Sequence, residues 1–311
     1  MKMQLFGLVL SLCAAAMPAA VRAEAINVVV TIKPIHSLVA QVMEGVGYPT
    51  LLVDGSASPH SFSLKPSHVR AIDAADVFVR VSERLEPFTG KIVRSLPESV
   101  RLLTLLDAPG LKLLGQRSSG MFEEHRHDAT EPADADAAAK DSHIWLDPDN
   151  AKAIAQYVAG ALSERYPDRA RQFKANAERL NAQIDALASE LATGTKPLRD
   201  KPFVVFHDAY QYFDARFGLD AVGSITVSPD VQPSAKRLTE LRRKIRSLKA
   251  VCVFAEPWFQ APLVAALTED TGARSGTLDP EGMTLEPGPQ LYFVLMRNLA
   301  AGLKSCLDPA A

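Results

Sequence analysis

Beyond its first 23 residues this 311-residue chain has no apolar run long enough to cross a bilayer, so no membrane-spanning helix is expected in the folded part. It has no basic block either. Lys and Arg number 34 against 36 Asp and Glu, which argues against a nucleic-acid partner. No His-Glu-x-x-His segment and no Ser nucleophile elbow occurs, so two hydrolase signatures are missing. Cysteine is scarce, with Cys13, Cys252 and Cys306 as the whole set.

What the first residues do contain is a secretory leader. Lys2 supplies a positive start, Leu5 to Ala16 an apolar core too short to span a membrane, and Val21-Arg22-Ala23 a small residue before the cut. Cys13 follows Leu12, where a lipid-attachment site wants a small residue, so cleavage after Ala23 is the expectation. Removing residues 1–23 takes away Lys2 and Arg22 and no acid, leaving 32 basic against 36 acidic residues and a net charge of −4. The mature chain then holds only Cys252, in a β-like run, and Cys306, at the end of the last helix. An even count in an exported chain favours a disulfide between them, the alternative being two buried free thiols. Closing so long a loop would be worth roughly 4 kcal/mol on the chain-entropy model.

Apolar patterning divides the rest. Ile26 to Thr31, Thr50 to Val53 and Val77 to Val81 read as strands. They alternate with helices over Pro34 to Met43 and from a Ser67 cap. Such βα alternation predicts parallel sheets covered by helices, an α/β fold. Residues 115–142 interrupt it with a run of Gly, Ser, Asp, Glu and Ala that includes Glu123-Glu124-His125-Arg126-His127-Asp128, and read as a mobile surface loop. Phe173, Ala177, Leu180, Ile184, Leu187 and Leu191 then repeat at alternating spacings of four and three. They mark one long amphipathic helix over Pro167 to Leu191, with Pro167 in its first turn and Gly194 at its end. The stripe is too short for a persuasive coiled coil, so a spine joining two lobes within a monomer is expected. The βα pattern restarts at Phe203–Phe206, Ala221–Val227, Val251–Ala255 and Gly276–Leu278, with helices from Ser234, over Ala261–Asp270 and over Pro289–Leu303. The division is a leader over 1–23, a first lobe over 24–164, a linking helix over 165–194 and a second lobe over 195–311.

Three histidines stand at loop edges: His60 in Pro59-His60-Ser61-Phe62-Ser63-Leu64, His143 in His143-Ile144-Trp145-Leu146-Asp147-Pro148, and His207 after Phe203-Val204-Val205-Phe206. In open parallel sheets ligands bind where loops leave the carboxyl ends of strands. Three neutral imidazoles meeting there would suit a transition metal, most naturally Zn²⁺. Asp279, after Gly276–Leu278, belongs to the same rim. Glu256 ends another strand near it, as a structural or ligand-orienting group. His36 and His68 read as structural and surface residues.

These segments, together with Val30-Thr31-Ile32-Lys33-Pro34-Ile35-His36-Ser37-Leu38, Phe206-His207-Asp208-Ala209-Tyr210, Phe254-Ala255-Glu256-Pro257 and Thr277-Leu278-Asp279-Pro280, carry a resemblance. Over essentially the whole mature chain it resembles the zinc-uptake solute-binding proteins of bacterial ABC transporters (the ZnuA-like, cluster A-I, metal-specific group). The resemblance implies two (β/α) lobes joined by a rigid helix, with the metal in the interlobe cleft. It implies His60, His143 and His207 as ligands, and a periplasmic carrier that hands Zn²⁺ to an inner-membrane ABC permease. Asp279 matches a carboxylate ligand of manganese-type relatives, with water as the competing fourth ligand. Pro59 stands where some zinc-binding members have Glu. Manganese or iron as cargo is the alternative, opposed by His207 where manganese-binding relatives typically have Glu. A zinc hydrolase is a more distant one. The resemblance also implies weak metal capture by His125 and His127, although this chain has fewer histidines there than the richer loops of the family.

Overall fold

Three consecutive valines, with no polar alternation, suit a strand covered on both faces, and they form β1 (Val28–Val30) inside the first sheet. This computed structural model describes residues 26–55, 57–117, 122, 140–226, 233–257 and 261–308. The leader and both loop histidines, His125 and His127, lie outside the described residues. From β1 the chain enters α1 (Lys33–Val42), whose Pro34 sits in the first turn, where a missing N–H costs nothing. It continues through β2 (Thr50–Leu51), α2 (Pro66–Asp73), β3 (Val77–Arg80), α3 (Thr89–Arg94) and β4 (Arg101–Thr104). The strands pair in parallel in the order β2-β1-β3-β4.

Two helices follow. In α4 (Pro148–Arg165) the Asp147 carboxylate caps the start by accepting the Asp149 N–H at 2.9 Å. The long helix is α5 (Ala170–Thr195), of 26 residues and so about 39 Å. Its stripe from Phe173 to Leu191 is buried throughout, as its spacing predicts. Its bounds differ from the expectation: Pro167–Arg169 forms a separate 3-10 turn, and Gly194 stays helical. The second sheet comprises β5 (Phe203–His207), β6 (Ala221–Thr226), β7 (Cys252–Ala255) and β8 (Arg274–Thr277), parallel in the order β6-β5-β7-β8. Its helices are α6 (Gln211–Phe217), α7 (Ala235–Ser247), α8 (Ala261–Thr268) and α9 (Leu291–Leu307). Ser234 caps α7 as expected, whereas Ser67 lies inside α2 and Pro66 takes its first turn.

One apolar core runs through both halves. It joins Val30, Ile35 and Trp145 to Ile184, Phe203, Phe254 and Tyr292, with smaller clusters on the outer face of each sheet. Every residue of α1 is buried, because α1 packs against α4, α5 and α9 together. Polar contacts stitch the same junction. The buried Lys33 ammonium donates to the carbonyls of Met283 and Leu285, each at 2.9 Å. The Trp145 indole donates to Pro280 O at 2.8 Å, and the Tyr292 hydroxyl to Trp145 O at 3.0 Å. Cys252 and Cys306 are disulfide-bonded, tying β7 to α9.

The 115–142 segment is held at both stems, which corrects the expectation of a mobile loop over its whole length. Gly115 and Lys140 form an antiparallel bridge, and the Asp141 N–H donates to Leu114 O at 3.0 Å. Asp141 and Ser142 are buried, so the chain has re-entered the core before His143.

Candidate metal centre

Both sheets change direction of growth beside their first strand. The chain adds β2 on one side of β1 and β3 on the other, and likewise β6 and β7 flank β5. Loops leaving the carboxyl ends at such a point diverge and open a crevice. His207 is the last residue of β5, and Glu256 follows the last residue of the adjacent β7. His60 lies in the loop between β2 and α2, and His143 on the segment returning from β4 toward α4.

The three histidines meet. One ring nitrogen from each of His60, His143 and His207 lies within 4.8 Å of the other two, and no other such group occurs among the described residues. His207 and His143 are buried, and His60 is half-buried. The His143 Nδ1 faces Asp141 Oδ1 at 2.7 Å, and the His207 Nδ1 faces Glu256 Oε1 at 2.6 Å. An ionised carboxylate only accepts, so each Nδ1 carries the proton and each Nε2 presents its lone pair. Those two Nε2 atoms are 3.4 Å apart. Two ligands on one tetrahedral zinc at ordinary Zn–N lengths stand about 3.3 Å apart. Facing lone pairs at that spacing are stabilised by a shared cation or a proton. Burial pulls the His207 imidazole down, but Glu256, with smaller help from Asp208 and Asp141, raises it overall above the ordinary histidine value. In the absence of metal, that site holds a proton more readily.

Asp279 is not part of the three-nitrogen group. Its Oδ1 accepts the N–H of Gly282 at 2.8 Å and of Glu281 at 3.2 Å, while Oδ2 accepts the Thr284 N–H at 3.3 Å. It therefore shapes its own turn, where Gly282 has a φ of +70° that disfavours a side chain. Glu256 orients His207 and also accepts the Tyr210 hydroxyl at 3.2 Å. His36 is buried against Pro49 O at 2.9 Å, and His68 accepts the Lys65 N–H at the start of α2. Neither approaches the histidine cluster.

Sequence reasoning missed Asp141 and Arg117. Asp141 had a readable signal: in Asp141-Ser142-His143 the carboxylate accepts the backbone N–H of His143, two residues on, at 2.9 Å, as Asx turns do. Arg117 had none. Its partners Asp208 and Asp214 lie 91 and 97 residues along the chain.

Comparison with known proteins converges on one group. The sequence model of a family described as zinc-uptake complex component A, periplasmic, matches residues 28–306. The high-affinity zinc uptake system protein ZnuA of Brucella suis is 44% identical over 306 residues, covering 91% of this chain and 92% of its own. The protein of the same name from Paracoccus denitrificans is 36% identical, with 94% of each chain covered. Among solved structures, a Zn(II)-bound mutant variant of AdcAII from Streptococcus pneumoniae superposes with a TM-score of 0.71 at 25% identity, over 90% of this chain and 99% of that one.

Proposed function

Because the chain belongs to the family of periplasmic zinc-uptake complex components, we propose that it captures Zn²⁺ in its interlobe cleft and delivers it to an ABC permease. The supporting observation is the meeting of three imidazole nitrogens within 4.8 Å. His143 and His207 are oriented by carboxylates, and His60 closes the site from its own loop. Two nitrogen donors fixed by buried hydrogen bonds suit a borderline-soft cation. His207 in place of a carboxylate favours zinc over manganese for the same reason. The fourth position belongs to Asp279, released from its turn, or to water.

No covalent bond of a substrate is made or broken in this role. Zinc binds by displacing protons from the imidazoles and is then handed to the permease. The accompanying reading is of a chain cleaved after Ala23 and acting as a monomer, with lobes over 24–164 and 195–311 and a linking helix over 165–194. His125 and His127 supply weak additional capture.

The test is metal content after gentle purification, followed by zinc titration against a competing chelator. One tightly held zinc per chain, lost in His60→Ala, His143→Ala and His207→Ala alike, is the expected result. Manganese as the tightly retained metal, or full zinc binding in any of these variants, would refute it.

A further inference from the structure

A largely buried cation sits among the acids that adjoin the two carboxylate-backed histidines. Arg117, on the stem after Gly115, turns its guanidinium toward Asp208 and Asp214, with its side chain only 19% exposed. Its Nε donates to Asp208 Oδ1 at 3.0 Å and Oδ2 at 2.9 Å, and Nη2 adds a further contact to Oδ1. Both terminal nitrogens reach Asp214 Oδ2 at 3.4 Å. Asp141 is near enough to help hold the guanidinium charge. Asp208 is bonded to His207 through the chain, and Asp141 is the carboxylate that orients His143. Asp208 and Asp214 belong to the second half of the molecule, Asp141 and Arg117 to the first.

The acids here need the cation. Asp141 Oδ2 and Asp214 Oδ1 are buried with no hydrogen-bond partner among the described residues. Removing the guanidinium would leave Asp208 and Asp214 of the second lobe, and Asp141 of the first, without the cation they share, and Asp208 and Asp214 repel each other. A planar fork can bind one carboxylate at two points while still reaching a second, which an ammonium cannot do with the same directionality.

We propose that Arg117 is a positioning residue for metal capture. It clamps Asp208 and Asp214 of the second lobe to a stem that the Gly115–Lys140 bridge ties to the strand running into Asp141, and so holds the His207 and His143 donor atoms at metal-sharing distance. The proposal rests on the reading of those histidines as zinc ligands. It makes Arg117 favourable to zinc although its charge alone opposes a dication, so geometry and charge predict opposite signs.

The experiment compares wild type with Arg117→Met, Arg117→Lys and Asp208→Asn. It measures zinc dissociation into excess chelator, the visible absorption of the Co²⁺-substituted protein, and the thermal midpoint of the metal-free form. Wild type must first bind zinc and give an intense tetrahedral Co²⁺ spectrum; if it does not, the zinc-site reading itself fails. Given that, Arg117→Met is expected to release zinc about 10- to 100-fold faster, the scale for losing an orienting partner, with an altered Co²⁺ spectrum. Arg117→Lys, which restores charge without the fork, should recover only a minor part. Asp208→Asn, which keeps Arg117, should shift the spectrum the same way and reports even if Arg117→Met does not fold. Unchanged or slower zinc release in the Arg117 variants overturns the proposal. So does a lowered thermal midpoint with an unaltered Co²⁺ spectrum.

Discussion

A histidine binds zinc only through a neutral ring nitrogen, so protons and metal compete for His60, His143 and His207. The metal-free protein is the form that takes up the protons, and acid therefore favours it. An ordinary histidine titrates near ~6.5, and Glu256 moves His207 above its ordinary value. Zinc affinity should then begin to fall on the alkaline side of that point. Its pH slope should approach three protons per metal in mildly acid solution. Affinities measured from pH 8 to 4 check this, and a flat profile through the histidine range would rule out three imidazole ligands. A drop in zinc affinity in Asp279→Ala at neutral pH, with the three-histidine pH slope kept, would place Asp279 on the metal. Glu256→Gln and Asp141→Asn each remove an oriented acceptor and should weaken zinc by about 10- to 100-fold. His207→Glu exchanges a nitrogen donor for a harder oxygen. The ratio of zinc to manganese dissociation constants should move toward manganese, even if zinc still binds more tightly. Each of the three histidines stands at a loop edge in the sequence, but their grouping as a ligand set came only from the family resemblance of the segments around them. Arg117 could not be found that way, since its role exists only once Asp208 and Asp214 are folded against it.

At the scale of elements, the strands with uninterrupted β-branched runs and the long heptad-like stripe were readable, as their hydrophobic periods are strong. α3, β4 and the 18-residue α4 escaped: β4 begins and ends on the polar Arg101 and Thr104, α3 has only six residues, and the buried face of α4 is largely alanine (Ala151, Ala155, Ala159, Ala161) and so contrasts weakly with its exposed one. Cys252 and Cys306 sit on β7 and α9, so replacing either with Ser should loosen the last helix from the second sheet. The expected loss is roughly 4 kcal/mol, read from denaturant unfolding of oxidised wild type beside the variant. A second handle lies between β3 and α3. Glu86 is fully buried and accepts the N–H groups of Val81 and Ser82 and the Thr31 hydroxyl, which fastens the loops after β1 and β3. Burial pushes its carboxyl up from 4.5 to about 7, against the pull of those donors. The folded state thus holds the proton more firmly than the unfolded chain. That contribution to stability is full below 4.5 and is lost as pH rises through about 7. Unfolding free energies of metal-free wild type and Glu86→Gln, compared across that window, should show the wild type losing ground as pH rises. Parallel curves would mean that Glu86 is ionised throughout.

For the molecule as a whole, the continuous core and the Lys33, Trp145 and Tyr292 contacts leave little freedom for the lobes to swing. X-ray scattering should show nearly the same radius of gyration with and without zinc, and a large compaction would contradict this. Removing residues 118–139 spares Arg117, Lys140 and all three cleft histidines, so titration of that variant should still find one tight zinc site. The packing of α1 against α9 has another consequence. The Ser37 hydroxyl and the Gln41 amide both donate to Pro289 O at 2.9 Å, spanning 252 and 248 residues. At ordinary rates of synthesis α1 is made on the order of 10 to 50 seconds before the segment that covers it. During that interval a helix destined for complete burial lacks the part of its cover that α9 supplies. Until the last segment is made, the newborn chain therefore carries an α1 face that is apolar and open, and shielding of that face during synthesis should raise the yield on expression.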